Sequence, residues 1–287
     1  MSEENSRIPK ELTWYEKLSA KVESHGLKLT IWTTIAILIG GAVEIPPFFM
    51  MGEVKKIESV TPFSAPELAG RDVYQAEGCF YCHTQMIRPF RWETQRWDPN
   101  LAYGEAPYSK AGEFVYDHPF LWGSKRTGPD LSHEASIRPS AAWHAEHLIN
   151  PRDAVDNSPM PAYPHLFLEP VDADQTIANM RALATIGVPY KATDFQLAKN
   201  LLIKECSEQD QKNLKRAMVM KGYSEAEIEA KVCKLGEVVP ITKGDALVSY
   251  LLKLGRDTTS VAMEKAAEAK ESDVANASED SEAQNGN

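Results

Sequence analysis

The chain has 287 residues, with 31 Lys and Arg against 41 Asp and Glu and a formal net charge of −10. Its mean hydropathy is negative, which speaks against a polytopic membrane protein and leaves room for one or two soluble domains. The acidic balance, with no concentrated basic stripe and no known nucleic-acid module, argues against DNA or RNA binding.

Residues 1–28 are mixed in charge and carry Arg7, Lys10, Lys17, Lys21 and Lys28; they read as a cytoplasmic N-terminus. The run from Leu29 to Gly52, LTIWTTIAILIGGAVEIPPFFMMG, follows with Glu44 as its single charge. As a helix it spans roughly 36 Å, more than the hydrocarbon core of a bilayer at about 30 Å. It is predicted as an uncleaved transmembrane anchor, since no small-x-small site marks it for removal. Only Lys55 and Lys56 follow it closely. The positive-inside tendency therefore puts the N-terminus in the cytoplasm, and the Cys79-x-x-Cys82-His83 motif, whose covalent cofactor chemistry belongs to the outer face of a bacterial inner membrane, makes everything after Glu53 periplasmic. Glu44 pairs with a group on a neighbouring helix, rides near one interface beside a kink expected at Pro46-Pro47, or takes part in proton transfer; it implies a polytopic partner.

A helix is predicted over Pro66 to Glu77, opening with Pro near its first turn, closing at Gly78, and carrying Gly70 and Tyr74 on one face. Cys79-Phe80-Tyr81-Cys82-His83 comes next. Two thiols two residues apart, followed at once by an imidazole, form the attachment signature for a c-type haem. Both sulfurs must reach one edge of a flat macrocycle, where they add across its vinyl groups, while His83 sits over the centre and ligates iron. A zinc reading needs four ligands, and no second CxxC or Cys/His knuckle follows; a redox dithiol wants a βαβ context that is missing. One covalently bound haem c is the expected cofactor.

Arg88, Arg91, Lys125 and Arg126 make a basic set that either neutralises haem propionates or lies at a solvated surface or subunit contact. In Arg126-Thr-Gly-Pro-Asp-Leu131 the Gly-Pro turn exposes a carbonyl, and a ligating histidine normally donates its other N–H to such an acceptor, so Pro129 is assigned to orient His83. The second axial ligand is expected from Met160. It lies in Asn157-Ser-Pro-Met-Pro-Ala-Tyr163, where the flanking prolines fix an extended loop. Met86 is too near His83 to reach the opposite face, and Met180, Met218, Met220 and Met263 fall in segments that read as helix or tail. The competing ligands are His118, His133, His144, His147 and His165. His144 and His147 share a helical face, but two histidines do not complete a tetrahedral site, and capping, packing or a partner contact is the plainer reading. His/Met ligation leaves no open position and suits electron transfer rather than oxygen chemistry at this haem.

Residues 191–241 read as two amphipathic helices, Asp194 to Lys204 and Glu208 to Lys234, with a breaker at Gly222-Tyr-Ser224. Cys206 and Cys233 lie in this segment. In an oxidising compartment they pair in preference to staying free, contributing about 3 to 4 kcal/mol in the chain-entropy model. Lys243 to Leu254 is amphipathic, with Leu247, Tyr250, Leu251 and Leu254 as its apolar stripe and Gly255 as its stop. Gly70 would let this helix approach closely, an arrangement resembling the crossed terminal helices of small c-type cytochromes. From Asp257 to Asn287 the chain holds eight acids and two lysines with few apolar residues, the composition of a disordered tail with room for a short helix over Val261 to Lys270.

Several longer stretches resemble subunit II of the cbb3-type cytochrome c oxidases, a membrane-anchored monohaem cytochrome c. They are Gly40-Gly-Ala-Val-Glu-Ile45, Gly70-Arg-Asp-Val-Tyr74, Cys82-His-Thr-Gln-Met-Ile-Arg-Pro-Phe90, Tyr116 to Leu131, Trp143-His144, His147 to Arg152 and Ser158 to Tyr163. The resemblance implies an electron-relaying, non-catalytic subunit of an oxidase. Its partners would be a catalytic haem-copper subunit, a dihaem cytochrome c subunit and a soluble c-type cytochrome donor. On this chain it implies Cys79 and Cys82 holding the haem, His83 and Met160 on the iron, and Pro129 orienting His83. Two stretches depart from it: Ser132 to Pro139, which brings His133 near the haem edge, and the long segment 191–241. The expected architecture is mainly α. It comprises the N-terminus 1–28, one transmembrane helix over 29–52, a cytochrome domain over 53–190 plus 242–256, the helical insertion 191–241 and the acidic tail 257–287. The alternatives are the anchored monohaem cytochrome of a nitric oxide reductase, disfavoured by the Tyr116 to Leu131 block, and a haem-based sensor or peroxidase with open iron, disfavoured by Met160.

Overall fold

The computed structural model describes residues 13–50, 56–97 and 108–257, and its contacts divide the chain into two compact units, Met1–Glu53 and Val54–Asn287. In the first unit, α1 (Trp14–Glu23) starts where Thr13 donates its backbone N–H and its hydroxyl to Glu16 Oε2, each at 2.7 Å. This is a capping box that satisfies the orphan donors of a helix start, and the sequence reading passed over it. The second helix, α2 (Gly26–Met50), contains a 22-residue stretch, Gly26–Pro47, long and apolar enough to cross a membrane. It begins at Gly26 rather than Leu29, so it takes in Lys28. Its helical path continues through Pro46 and Pro47, whose missing N–H groups leave two carbonyls of the preceding turn without ladder partners. Arg7, Lys10, Lys55 and the expected span end at Gly52 lie outside the described residues, as does the acidic tail beyond Asp257 with Met263 and its short helix.

The second unit is mainly helical: α3 (Ala65–Ala76), α4 (Arg91–Trp97), α5 (Glu134–Ile137), α6 (Ala141–Ile149), α7 (Pro151–Ala154), α8 (Ala173–Thr185), α9 (Ala192–Leu201), α10 (Glu208–Met220), α11 (Glu225–Lys231) and α12 (Lys243–Leu251). Short 3-10 turns occupy Cys79–Tyr81, Ala111–Phe114 and Pro164–Phe167. Helix α3 opens one residue before the expected Pro66, because Glu67 reaches back to accept the Ser64 N–H at 2.8 Å. It ends at Ala76, with Glu77 as its cap and Gly78 left-handed at φ 71°. Helix α12 starts on a matching device, Thr242 N–H to Asp245 Oδ2 at 2.8 Å, and stops at Leu251 rather than Leu254.

The broadest helix contact is the crossing of α3 over α12. A Cβ built at Gly70 would fall onto the Ala246 carbonyl and 2.8 Å from Tyr250 Cβ, so only glycine permits this approach. Tyr250 lies 5.4 Å from Tyr74 and 5.8 Å from Phe63, centroid to centroid. Leu247, Tyr250 and Leu251 are buried as the stripe requires, and removing a leucine of this size from water contributes about 2 kcal/mol.

Two expectations for 191–241 are corrected. The first helix ends at Leu201, and Ile203–Glu205 is a strand (β1) pairing antiparallel with Val238–Pro240 (β2), Ile203 opposite Pro240. A three-residue strand is made by a partner distant in sequence, and no local period announces it. The break expected at Gly222 does separate α10 from α11, but the second helix finishes at Lys231, not Lys234. A disulfide joins Cys206 to Cys233 across 27 residues, and Ala198, Leu202 and Ala217 of this segment belong to the same apolar core as α3 and α12.

Candidate haem site

The attachment motif folds as one tight turn. Left-handed Gly78 redirects the chain out of α3, and Cys79 O then accepts the N–H groups of both Cys82 and His83, at 3.1 and 3.0 Å. Cys79 is half-buried and Cys82 exposed, with no disulfide between them; burial pushes the Cys79 thiol up to about 12, with Glu77 adding to the shift. The segment 126–131 runs alongside, Gly128 N–H to Cys82 O at 3.0 Å and Leu131 N–H to Thr84 O at 2.8 Å. It brings Pro129 O to 2.8 Å from His83 Nδ1. A Cβ at Gly128 would stand 2.7 Å from that Nδ1 and 2.8 Å from Nε2, so glycine makes room for the ring.

Beneath the turn lies a charge network that the sequence reading missed. Arg126 donates from Nε to Thr84 Oγ1 at 2.7 Å and from Nη2 to Met86 O at 2.8 Å, Glu93 Oε2 at 3.1 Å and Asp130 Oδ2 at 3.3 Å. Glu93 is fully buried and also accepts from Arg88, through its backbone N–H at 2.8 Å and its Nε at 2.6 Å. Burial alone would raise the Glu93 carboxyl, but the bonds from Arg88 and Arg126 outweigh it and hold the group below its usual range. Arg88 and Arg126, two of the four propionate candidates, are thus engaged with protein carboxylates. A periodicity search finds none of this, because the partners are separated by up to 42 residues. Next to the network, Gln85, Glu113, Asp117, Ser132, Lys253 and Asp257 line a cavity of about 80 Å³. Burial pushes Glu113 up to about 7, and Asp117, 3.7 Å from Arg71, up to about 6.

Met160 is half-buried and packs against the same core as Cys79, Phe80 and Tyr163. Met180 is consumed by that core, at 1% exposed. The competing histidines have other engagements. His144 Nε2 lies 2.8 Å from Arg138 O, while His147 stacks on Trp143 at 4.7 Å; the two do not converge on a metal. Burial, with Arg138, His144 and His83 nearby, drives His147 down to about 4. His133 packs against Gly255, whose added Cβ would stand 2.9 Å from its Nδ1. His118 precedes a cis proline whose carbonyl Arg71 binds, and His165 Nε2 meets Glu77 Oε1 at 3.1 Å. Among the described residues, no group of three or more His, Cys, Asp and Glu could hold a metal ion.

The donor set fits a haem. Pro129 O is placed to accept a hydrogen bond from His83 Nδ1–H, the arrangement that would leave Nε2 to face iron. Gln85 Nε2 and Trp122 Nε1 are buried without a protein partner on segments that touch the motif, and His147 Nδ1 is likewise unpartnered on α6. The Gln85 N–H binds Trp122 O at 2.9 Å, and a Cβ at Gly123 would lie 2.6 Å from His83 O. Orphan polar atoms of this kind cost about 1 to 3 kcal/mol each unless another polar group answers them. The family model described as cytochrome c oxidase, mono-heme subunit/FixO matches residues 19–258. The chain belongs to the FixO family. It is therefore a mono-haem subunit of cytochrome c oxidase, part of a multi-subunit oxidoreductase. The FixO match takes in the apolar helix α2, the attachment turn, the methionine loop and segment 191–241 alike. No curated protein matches the chain.

Proposed function

We propose that this FixO-family chain is the anchored electron-relay subunit of a cbb3-type oxidase. Cys79 and Cys82 hold one haem c covalently, His83 and Met160 ligate its iron, and Pro129 fixes the His83 ring. When bound, the haem supplies a one-electron couple. The chain's own residues do the rest. Pro129 O keeps a proton on His83 Nδ1 and Gly128 leaves space for the imidazole, while Pro159 and Pro161 stiffen the loop that presents the Met160 thioether. The observation that carries this reading is the 2.8 Å contact between His83 Nδ1 and Pro129 O inside a CxxCH turn.

Electrons arrive from a dihaem cytochrome c subunit or a soluble c-type cytochrome and leave to the catalytic haem-copper subunit, where oxygen is reduced. Helix α2 spans the inner membrane with the N-terminus in the cytoplasm and the haem domain in the periplasm, a direction supported by the Lys and Arg preceding the span. Glu44 faces a helix of the catalytic subunit, since a carboxylate does not rest in lipid.

The test is the Met160→Ala variant of the full chain. It should keep its covalent haem by mass and lose the sulfur-to-iron charge-transfer band at the red end of the visible spectrum. A wild-type chain of unmodified apoprotein mass, or a band that survives in the variant, would overturn the reading.

A further inference from the structure

The two segments assigned to the iron are joined by one contact between side chains 88 residues apart. His165 Nε2 meets Glu77 Oε1 at 3.1 Å, the two side chains being 30% and 28% exposed. Glu77 caps α3 two residues before Cys79, and His165 belongs to the Pro164–Phe167 turn that follows the Met160 loop. On its other side that turn is anchored by Leu166 and Phe167 in the core, and the Tyr163 N–H binds Leu148 O at 2.8 Å. Burial pushes the Tyr163 phenol up to about 12, with the charges of Cys79, Glu77 and Cys82 adding to the shift. A carboxylate at Glu77 is otherwise misplaced, because the C-terminal end of a helix carries partial negative charge and disfavours it.

We propose that Glu77 and His165 form a clasp that holds the Met160 loop against the attachment turn, making both of them positioning residues for the axial methionine. The clasp rests on the His83/Met160 reading above. Without it the loop keeps its apolar anchors and swings more readily off the iron. The population with an open sixth position rises, and with it the apparent affinity for an external ligand.

The probe is imidazole, titrated into the ferric full-length protein in detergent and followed through the methionine charge-transfer band. His165→Ala and Glu77→Gln should each bind imidazole about 3- to 5-fold more tightly than wild type, the range open to a half-exposed pair. His165→Gln, which keeps a donor, should return most of the way to wild type. The double variant should match the single ones, since both remove the same contact. Unchanged imidazole affinity in both single variants, or effects that add in the double, would overturn the clasp. A wild-type protein lacking the methionine band would instead sink the ligation reading itself.

Discussion

The α3–α12 crossing and the Arg126 network both brace the attachment turn, and they do so by opposite physics. The crossing works by exclusion: with no side chain at Gly70 the two backbones meet, and Tyr74, Leu247 and Tyr250 leave water around them. The network works by compensation, for Glu93 and Asp130 are buried charges tolerated because Arg126 and Arg88 answer them. One region is intolerant of volume. The other tolerates volume better than a change in charge.

The largest effect should come from Gly70→Ala. Its new methyl meets the Ala246 backbone, not a flexible side chain, so the cost should sit at the upper end for overpacking, about 3 kcal/mol or more in a denaturant titration. A cost below about 1 kcal/mol would mean that the helices part easily. Glu93→Gln should cost about 2 to 3 kcal/mol at neutral pH, less than a fully stranded buried pair, because Arg126 keeps Asp130. Its sign with pH is definite. The Glu93 carboxyl is held low in the fold, so its contribution is present above pH 4.5 and is lost as pH falls toward the folded value. Wild type and variant should converge in acid, and parallel curves would refute the assignment. The smallest effect is the reverse case at the cavity. Glu113 is raised from 4.5 to about 7, so the unfolded chain ionises first and wild-type stability declines as pH rises between those values. Glu113→Gln should flatten that decline in thermal unfolding followed from pH 4.5 to 7, and an unchanged slope would clear Glu113.

Much of this molecule is legible along the chain because the information is local. The apolar run of α2, the CxxCH turn, the Gly-Pro carbonyl for His83 and the stripe of α12 each depend on residues a few positions apart, and so did the helix stops at Gly78 and Gly222. Apart from helix ends shifted by a few residues and the Thr13 cap, the misses are of one kind. Strands β1 and β2, the engagement of Arg126 with Glu93, and the Glu77–His165 contact each join residues far apart in sequence. Arg126 read as a candidate for haem propionates because charge alone does not reveal its partner.

By itself the sequence determined the place of the CxxCH turn, the apolar helix and the glycine that lets two helices touch, since residue spacing, hydrophobic length and the absence of a Cβ are properties of short segments. The tertiary structure decided which charges are spent on the protein itself and which segments are latched together. Those pairings exist only once folding closes the long loops between them.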